Sequence, residues 1–257
     1  MPWNPDRYRQ FQRERFQPFD DLLRLVKRSE GMSVVDLGCG TGELTARLAD
    51  ELPASDVTGI DSSAEMLARA GEQHARRGLR FEKGSIETLE GEWDLVFSHA
   101  ALHWVEDHRS LIPRLFRMVR PGGQLAVQVP SNHGHASHTL ITEIAGEEPF
   151  RRALGGWTQP SFVLSIEAYA ELLYEQGAEQ IVVFEKVYPH VLESSDAIAD
   201  WTRGTTLVPY FERLAEELRE PFMRRYRERL RLLRPGSPVF YGFKRTLFAA
   251  TRPATMA

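Results

Sequence analysis

The chain has 257 residues, of which 42% are hydrophobic, so it can bury a sizeable core as one domain with an insertion. Its net charge of −4 gives no general attraction to nucleic acid or to an anionic membrane, and no apolar run approaches the ~20 residues that span a bilayer. A single cysteine, Cys39, excludes an intramolecular disulfide framework and, with an N-terminus that lacks the apolar segment of a signal peptide, predicts a cytoplasmic protein.

The first half of the chain predicts strands that alternate with helices. An N-terminal helical segment is expected over residues 1–30, where Pro18 marks a break or a new helix start. The next elements are predicted as strands at 33–36, 56–60, 80–83, 93–97 and 124–129, and as helices at 43–51, from Ser62 onward, and at 109–120. This order predicts a doubly wound, Rossmann-like α/β sheet with parallel strands.

The second half of the chain is less regular. Its predicted elements are a helix at 166–176, a strand at 180–187, helical structure over 194–233 and a last strand at 246–251. We therefore expect a single domain over residues 1–257, with a helical cap over 194–235 inserted between the sixth strand and the seventh.

A glycine-rich loop joins the first predicted strand to the helix that follows. Gly38, Gly40 and Gly42 let the backbone take positive φ and let a ligand approach the main chain. In an open α/β sheet, such a loop lies at the carboxyl end of the strand, where ligands bind. A dinucleotide fingerprint needs a further glycine where Glu43 stands, and no Gly-Lys-Ser/Thr follows as in a P-loop. Asp36 and Glu43 instead suit a ligand that carries positive charge.

The run Val34-Val35-Asp36-Leu37-Gly38-Cys39-Gly40-Thr41-Gly42 closely resembles the first motif of class I methyltransferases that use S-adenosylmethionine (SAM). SAM has a sulfonium, an amino-acid moiety and a ribose, which suit glycines and acidic residues. Asp61, after the second strand, is expected to accept hydrogen bonds from the ribose, the alternative being a helix N-cap. The residues expected to bind the cofactor are Asp36, Gly38, Gly40, Gly42, Asp61, Ser62, Met66, Ser85, Ile86 and Ser98.

Two of these positions leave alternatives open. Met66, one turn into its helix, contacts the adenine or lies in the core. Ser85 stands where methyltransferases usually carry an acidic residue against the adenine amine, so the main chain at 85–86, or Glu87, is expected to serve instead.

Histidines follow the fourth and fifth strands. His99 and His103 have a spacing that can bind zinc on a helix, but no third ligand is near in sequence, so residues 98–104 are expected to cover the methionine end of the cofactor. The run His133–His138 also has enough histidines to suggest a metal site, but no cysteine or carboxylate is interleaved. These histidines could equally bind an anionic substrate. No metal is predicted.

Several segments outside the glycine loop carry a second, more specific resemblance. They are Trp3-Asn4-Pro5 with Tyr8 and Phe11, Thr58–Ser63, Leu102-His103-Trp104, Leu125–Pro130, Tyr188-Pro189-His190, Ala197–Trp201 and Arg225-Tyr226. Together with the loop they resemble the trans-aconitate 2-methyltransferase family across almost the whole chain. At Val208 the chain departs from the family form, which carries a basic residue before the proline that is Pro209 here. The substrate preference can therefore differ from that of the family.

The resemblance implies SAM-dependent esterification of a carboxylate of a small polycarboxylic acid, with trans-aconitate as the leading acceptor and a monomethyl ester as product. A carboxylate with a pKa near ~4 is already ionised at neutral pH, so we expect no general base, only positioning and exclusion of water. A bidentate arginine suits a carboxylate, and the basic residues of the cap region are Arg203, Arg224, Arg225, Arg227, Lys244 and Arg245. Most of them are expected to lie on a solvated, charged helical face. Arg245 is the first choice as anchor, because it precedes the predicted last strand in a position similar to an arginine of the family. The residues expected to contact the substrate are Trp3, Tyr8, His103, Trp104, Tyr188, His190, Trp201, Tyr226 and Arg245.

Other functions remain open at this point. One is SAM-dependent methylation of another small molecule or of an acyl group, and another is SAM binding without catalysis. The expected partner is a small carboxylate, with no nucleic acid and no membrane, and the expected state is a monomer or a weak homo-oligomer.

Overall fold

The computed structural model describes residues 16–254 of the chain. In that range the strands are β1 Ser33–Leu37, β2 Asp56–Asp61, β3 Leu79–Lys83, β4 Trp93–His99, β5 Val119–Pro130, β6 Glu179–Leu192 and β7 Val239–Thr251. The helices are α1 over 16–23, α2 Glu43–Glu51, α3 Ala64–His74, α4 His108–Arg117, α5 Ala136–Ala145, α6 Phe150–Ala153, α7 Ile166–Glu175, α8 Ser195–Arg203, α9 Val208–Arg213 and α10 Glu216–Leu233. Short 3₁₀ turns lie at Leu102–Trp104 and Asn132–Gly134.

The described strands form a seven-stranded mixed sheet in the order β3-β2-β1-β4-β5-β7-β6. The pairs β1–β2, β2–β3, β1–β4 and β4–β5 are parallel, and β7 runs antiparallel to β5. The strand order reverses between β1 and β4, and in open α/β sheets ligands bind outside the carboxyl ends of the strands at such a point. The predicted doubly wound sheet is therefore confirmed, and its switch point lies at the glycine loop.

Helices cover both faces of this sheet. On one face, Tyr169 of α7 stacks on Phe248 of β7 with ring centroids 4.6 Å apart. On the other face, Phe19 of α1 meets Phe97 of β4 edge to face at 5.7 Å. The central strands are buried from both sides, which is why they appear in the sequence as continuous apolar runs such as Val34-Val35.

The predicted start of the last strand is wrong by several residues. β7 begins at Val239, so Arg245 lies inside the strand rather than before it. Buried Tyr241 and Phe243 alternate with exposed or half-buried neighbours such as Phe240, which is the period of a half-buried strand. The sequence itself contains this alternation, directly after the turn at 235–238.

Helix α5 follows the histidine run, in a segment for which the sequence pattern predicts no helix. Leu140, Ile141 and Ile144 are all buried, at the spacing of one helical face. His135 caps the helix, since its ring accepts a hydrogen bond from the Ser137 amide at 3.1 Å. The helical stretch predicted over 194–233 is divided into α8, α9 and α10.

The chain forms two compact units. The first contains the described residues up to Pro130, Phe162–Lys186 and the residues from Arg245 onward, and it carries β1 to β5 with α1 to α4 and α7. The second contains Ser131–Ser161 and Val187–Lys244, with α5, α6 and α8 to α10. The predicted cap over 194–235 falls inside the second unit, and its status as an insertion into a single domain stays a prediction.

Candidate functional site

The loop between β1 and α2 contains three glycines with positive φ, namely Gly38 at +77°, Gly40 at +55° and Gly42 at +78°. A Cβ at Gly38 would lie 2.2 Å from the Cβ of Ala101, and one at Gly42 would lie 2.7 Å from the ring of Phe81. At Gly40 such an atom would have nothing within 4 Å. Two of the glycines are therefore required for close packing, and Gly40 is the one whose backbone faces open space.

Asp61 connects the glycine loop to the start of α3. Its Oδ2 accepts a hydrogen bond from the Gly40 amide and its Oδ1 accepts one from the Ser63 amide, both at 2.9 Å. The N-cap of α3 is Ser63, whose hydroxyl accepts from the Met66 amide at 3.3 Å, so the capping role considered for Asp61 belongs to Ser63. Each carboxylate oxygen of Asp61 can accept a further hydrogen bond, which leaves capacity for a diol.

Asp36 lies buried beneath the loop at the end of β1. Its Oδ2 accepts a hydrogen bond from the Thr45 hydroxyl at 2.6 Å. Burial raises the pKa of Asp36 to about 6, the Thr45 hydrogen bond opposes that rise, and the negative charge of Asp61 adds to it. The carboxylates of Asp36 and Asp61 thus make the base of the loop a place that favours a cation.

Replacing Asp36 with asparagine is expected to change how stability depends on pH. The folded pKa of about 6 lies above the ordinary value of 3.8, so this group's favourable contribution is complete below the unfolded pKa and is lost as pH rises through 6. Asp36→Asn keeps an acceptor for Thr45, so it should gain on the wild type between about pH 4 and pH 7, by about 3 kcal/mol at most. Urea denaturation across that range measures the difference, and a constant difference would contradict the assignment.

Ser62, Met66 and Ser85 were predicted to reach the cofactor. Ser62 is exposed, and Met66 is 42% exposed, which excludes the core position for Met66. The Ser85 hydroxyl donates to the Glu87 carboxylate, and this hydrogen bond lowers the pKa of Glu87. The structure therefore brings together Ser85 and Glu87, the two side chains considered for the position against the adenine amine.

Ile86 and Ser98 lie deeper in the first unit. Ile86 is half-buried against the core, and its carbonyl accepts a hydrogen bond from the Arg114 guanidinium. Ser98 is fully buried, and its hydroxyl donates to the Leu37 carbonyl at 2.9 Å. Since its hydrogen is used to join the ends of β4 and β1, Ser98 supports the base of the loop, and a direct contact with the cofactor stays a prediction.

Polar side chains collect at the carboxyl ends of β4 and β5. In the part of the chain that the structure describes, three buried side-chain nitrogen atoms have no hydrogen-bond partner: His99 Nε2, His103 Nδ1 and Gln128 Nε2. Arg245 Nη1 donates to Gln128 Oε1 at 3.3 Å. Burial, and after it the charge of Arg245, lowers the pKa of His99 and of His103 to about 3, so both rings are neutral at pH 7.

Sequence reasoning missed Gln128 as a site residue and treated His99 only as part of a covering loop. A signal for Gln128 was present, because it interrupts the apolar run of β5 between Val127 and Val129. Its importance depends on the register, which places it directly beside His99 of β4. That pairing cannot be read from either segment alone.

His108 anchors the 3₁₀ turn that carries His103 and Trp104. Its Nε2 donates to the Leu102 carbonyl at 2.9 Å, and its Nδ1 therefore accepts from the Tyr169 hydroxyl at 2.5 Å. Trp104 is 50% exposed, and its ring lies 4.7 Å from the ring of His103. A buried network thus holds in place a turn that presents two of the predicted substrate contacts.

The other predicted substrate contacts lie in the second unit. The rings of His190 and Trp201 are 4.9 Å apart, and Tyr188 is buried on the same strand as His190. Tyr226 is fully buried, burial raises its pKa, and its hydroxyl donates to the Ser137 carbonyl at 2.8 Å. The structure therefore groups His190 with Trp201, whereas the Tyr226 hydroxyl is already engaged in packing α10 on α5.

Several arginines of the second unit form ion pairs within it. These pairs are Arg203–Glu220 at 3.1 Å, Arg225–Glu147 at 2.8 Å and Arg227–Asp200 at 3.0 Å. They agree with the expectation that most arginines of the cap lie on a solvated, charged face. Trp3 and Tyr8 lie outside the described residues, so their predicted role stays a prediction.

The histidine run after β5 is tied into the start of α5, where His135 and His138 lie 2.9 and 3.0 Å from the Ser137 hydroxyl. Within residues 16–254, no three or more His, Cys, Asp or Glu side chains are grouped closely enough to hold a metal ion. No helix in the same range has both the length and the apolar character needed to cross a membrane.

A family model described as a methyltransferase domain matches residues 28–177. The chain is 50% identical to trans-aconitate 2-methyltransferase of Deinococcus radiodurans, an alignment that covers 98% of this chain and 99% of that protein. It is 36% identical to trans-aconitate 2-methyltransferase of Escherichia coli, over 97% and 98% of the two chains.

Among solved structures, the fold is similar to phosphoethanolamine N-methyltransferase 2 of Haemonchus contortus in complex with S-adenosyl-L-methionine. The TM-score is 0.58 and the identity is 18%, and the match covers 92% of this chain and 52% of that one. At this identity the likeness shows the fold alone. The likeness agrees with the sheet order described above at the level of the overall fold.

Proposed function

This chain belongs to the trans-aconitate 2-methyltransferase family, and we propose that it transfers the methyl group of SAM to a carboxylate of trans-aconitate. The observation that carries the cofactor assignment is the geometry of Asp61, which holds the Gly40 amide and keeps acceptor capacity beside an open stretch of backbone. Support for the acceptor comes from the relatives, which align over nearly their whole length.

Each part of SAM has a matching group in the first unit. Asp61 accepts hydrogen bonds from the ribose hydroxyls, and the backbone at Gly40 lies against the amino-acid moiety. The adenine lies near exposed Met66 and the main chain at 85–86. The buried carboxylate of Asp36 adds negative charge below the loop, which favours the sulfonium and the ammonium of SAM over the pyrophosphate of a dinucleotide.

The reaction is a single in-line displacement. A carboxylate oxygen of the acceptor forms a bond to the methyl carbon while the bond from that carbon to sulfur breaks, and the electron pair stays on sulfur. The products are a monomethyl ester and S-adenosylhomocysteine. No proton moves, so the chain needs no general base, and the neutral rings of His99 and His103 are compatible with that. Alignment of the reactants can contribute roughly 7–11 kcal/mol in favourable cases.

Methyl transfer from labelled SAM to a panel of di- and tricarboxylates tests this function. We expect label in an ester product with trans-aconitate and less with its analogues. Transfer only to an unrelated small molecule or to an acyl group would favour the first alternative. Binding of SAM without transfer to any acceptor would instead favour a non-catalytic SAM-binding module.

We also propose that the protein acts on this small molecule in the cytoplasm as a monomer or weak homo-oligomer. Sedimentation over a range of concentrations tests the oligomeric state, and a concentration-independent larger species would contradict it.

A further inference from the structure

Three side chains of the first unit share one face of the sheet, two of them near the carboxyl ends of β4 and β5 and the third beside them in the middle of β7. His99 pairs directly with Gln128, and Gln128 pairs directly with Leu247. Paired residues point to the same face, and so do residues two apart on one strand, so Arg245 lies on the face of His99 and Gln128. This is also the face of α1, because the ring of Phe19 lies 5.8 Å from that of His99.

The same place holds buried nitrogen atoms that have no partner in the described chain. They belong to His99, to Gln128 and to His103 in the turn that follows β4. The amide of Gln128 is oriented by Arg245, which donates to its oxygen at 3.3 Å, so the Gln128 NH₂ group is the part left without an acceptor. Buried polar groups in folded proteins are nearly always hydrogen-bonded, so three exceptions at one place make it a candidate binding site.

The side chains gathered here have the chemistry of a site that binds a carboxylate. The Gln128 NH₂ group can only donate, and a neutral imidazole can carry its hydrogen on the buried nitrogen of His99 or His103. Because the pKa of both histidines is about 3, neither ring adds positive charge beside Arg245. One cation with several neutral donors matches an anion with two oxygens.

We propose that His99, His103, Gln128 and Arg245 bind a carboxylate of the acceptor that does not itself react, an inference that rests on the proposed function. Methyl transfer removes the charge of the reacting carboxylate, so strong donors on that group would stabilise the reactant more than the transition state. A carboxylate that keeps its charge can be held by the same donors without raising the barrier. The consequence is a preference for acceptors with at least two carboxylates.

Gln128→Leu tests the subsite, since it replaces the amide side chain with an apolar one of similar size. The KM for trans-aconitate should rise about tenfold or more, the expected effect of losing a hydrogen bond to a charged group, with a smaller change in kcat and no change in the Kd of SAM. Thermal stability should change little, because the variant removes the buried NH₂ group that has no partner together with one hydrogen bond of 3.3 Å from Arg245. A merely structural role would instead lower stability and leave KM unchanged.

Gln124→Leu is the matched control on the same strand. Gln124 is also buried, but both ends of its amide are bonded, to the Leu25 carbonyl at 2.8 Å and to the Lys27 amide at 2.9 Å. This variant should lose stability and keep its KM for trans-aconitate.

Two further measurements separate the subsite from the proposed function. The first is calorimetric binding of trans-aconitate in the presence of S-adenosylhomocysteine, where Arg245→Gln should weaken the affinity about a hundredfold or more. The second is transfer to an analogue with one carboxylate, whose KM should be the same in Gln128→Leu and wild type.

If wild type methylates trans-aconitate but both variants bind it normally, the subsite is wrong and the function stands. If wild type binds trans-aconitate without methylating it, and the variants lose that binding, the subsite stands and the function is wrong. If wild type neither binds nor methylates it, both are overturned.

Discussion

Alanine at Asp61 is expected to weaken SAM binding about ten- to hundredfold. The substitution removes an acceptor for the ribose hydroxyls, and losing a charge-assisted hydrogen bond costs about 1.5–3 kcal/mol. It also removes the partner that holds the Gly40 and Ser63 amides at 2.9 Å, so the loop loses its fixed position. Isothermal titration calorimetry with SAM measures the change in affinity.

Glu65→Ala is the matched control for Asp61→Ala. Glu65 lies in the first turn of α3, is exposed, and forms an ion pair with Arg69 at 2.7 Å on the same helix. The variant removes the same charge close to the loop, and SAM affinity should stay within about twofold of wild type, because exposed charges are well screened. Equal losses in the two variants would mean that Asp61 acts only through its charge.

Alanine at Gly38 is expected to lower the free energy of unfolding by about 2–5 kcal/mol. Part of this cost is the left-handed backbone, about 1–2 kcal/mol for a residue with a Cβ. The remainder is overlap, since the new Cβ would lie 2.2 Å from the Cβ of Ala101, and overpacking costs about 1–3 kcal/mol. Chemical denaturation measures the total.

Gly31→Ala and Gly40→Ala separate the two causes. Gly31 has φ of +71°, and a Cβ added there would have nothing within 4 Å, so its alanine variant should show the backbone cost alone. Gly40→Ala should show a similar small loss of stability and, in addition, weaker SAM binding, because its Cβ would enter the open space that the cofactor is proposed to use. If Gly38→Ala is no less stable than Gly31→Ala, the packing role of Gly38 is wrong.

Local patterns were enough to predict the parallel part of the sheet and the helices around the loop. α2 spans Glu43–Glu51 as predicted, and Ser63 caps α3 through the Met66 amide. These elements depend on neighbouring residues, such as apolar runs in buried strands and a serine before a helix. The glycine loop could be located for the same reason.

The distinct roles of the loop glycines could not be predicted, because they depend on residues distant in sequence. Gly38 packs on Ala101 and Gly42 on Phe81, contacts that exist only once β4 and β3 are in the sheet. Gln128 is a similar case, since its meaning comes from pairing with His99 across the sheet. Periodicity within one segment carries no information about such neighbours.

The measurement that tests the central claim most directly is mass spectrometry of the products formed from trans-aconitate and methyl-labelled SAM by the purified chain. We expect a labelled monomethyl ester and S-adenosylhomocysteine in equal amounts, and much less of both from Asp61→Ala at low SAM concentration. Tight binding of SAM and trans-aconitate by the wild type with no labelled ester would contradict the proposed function.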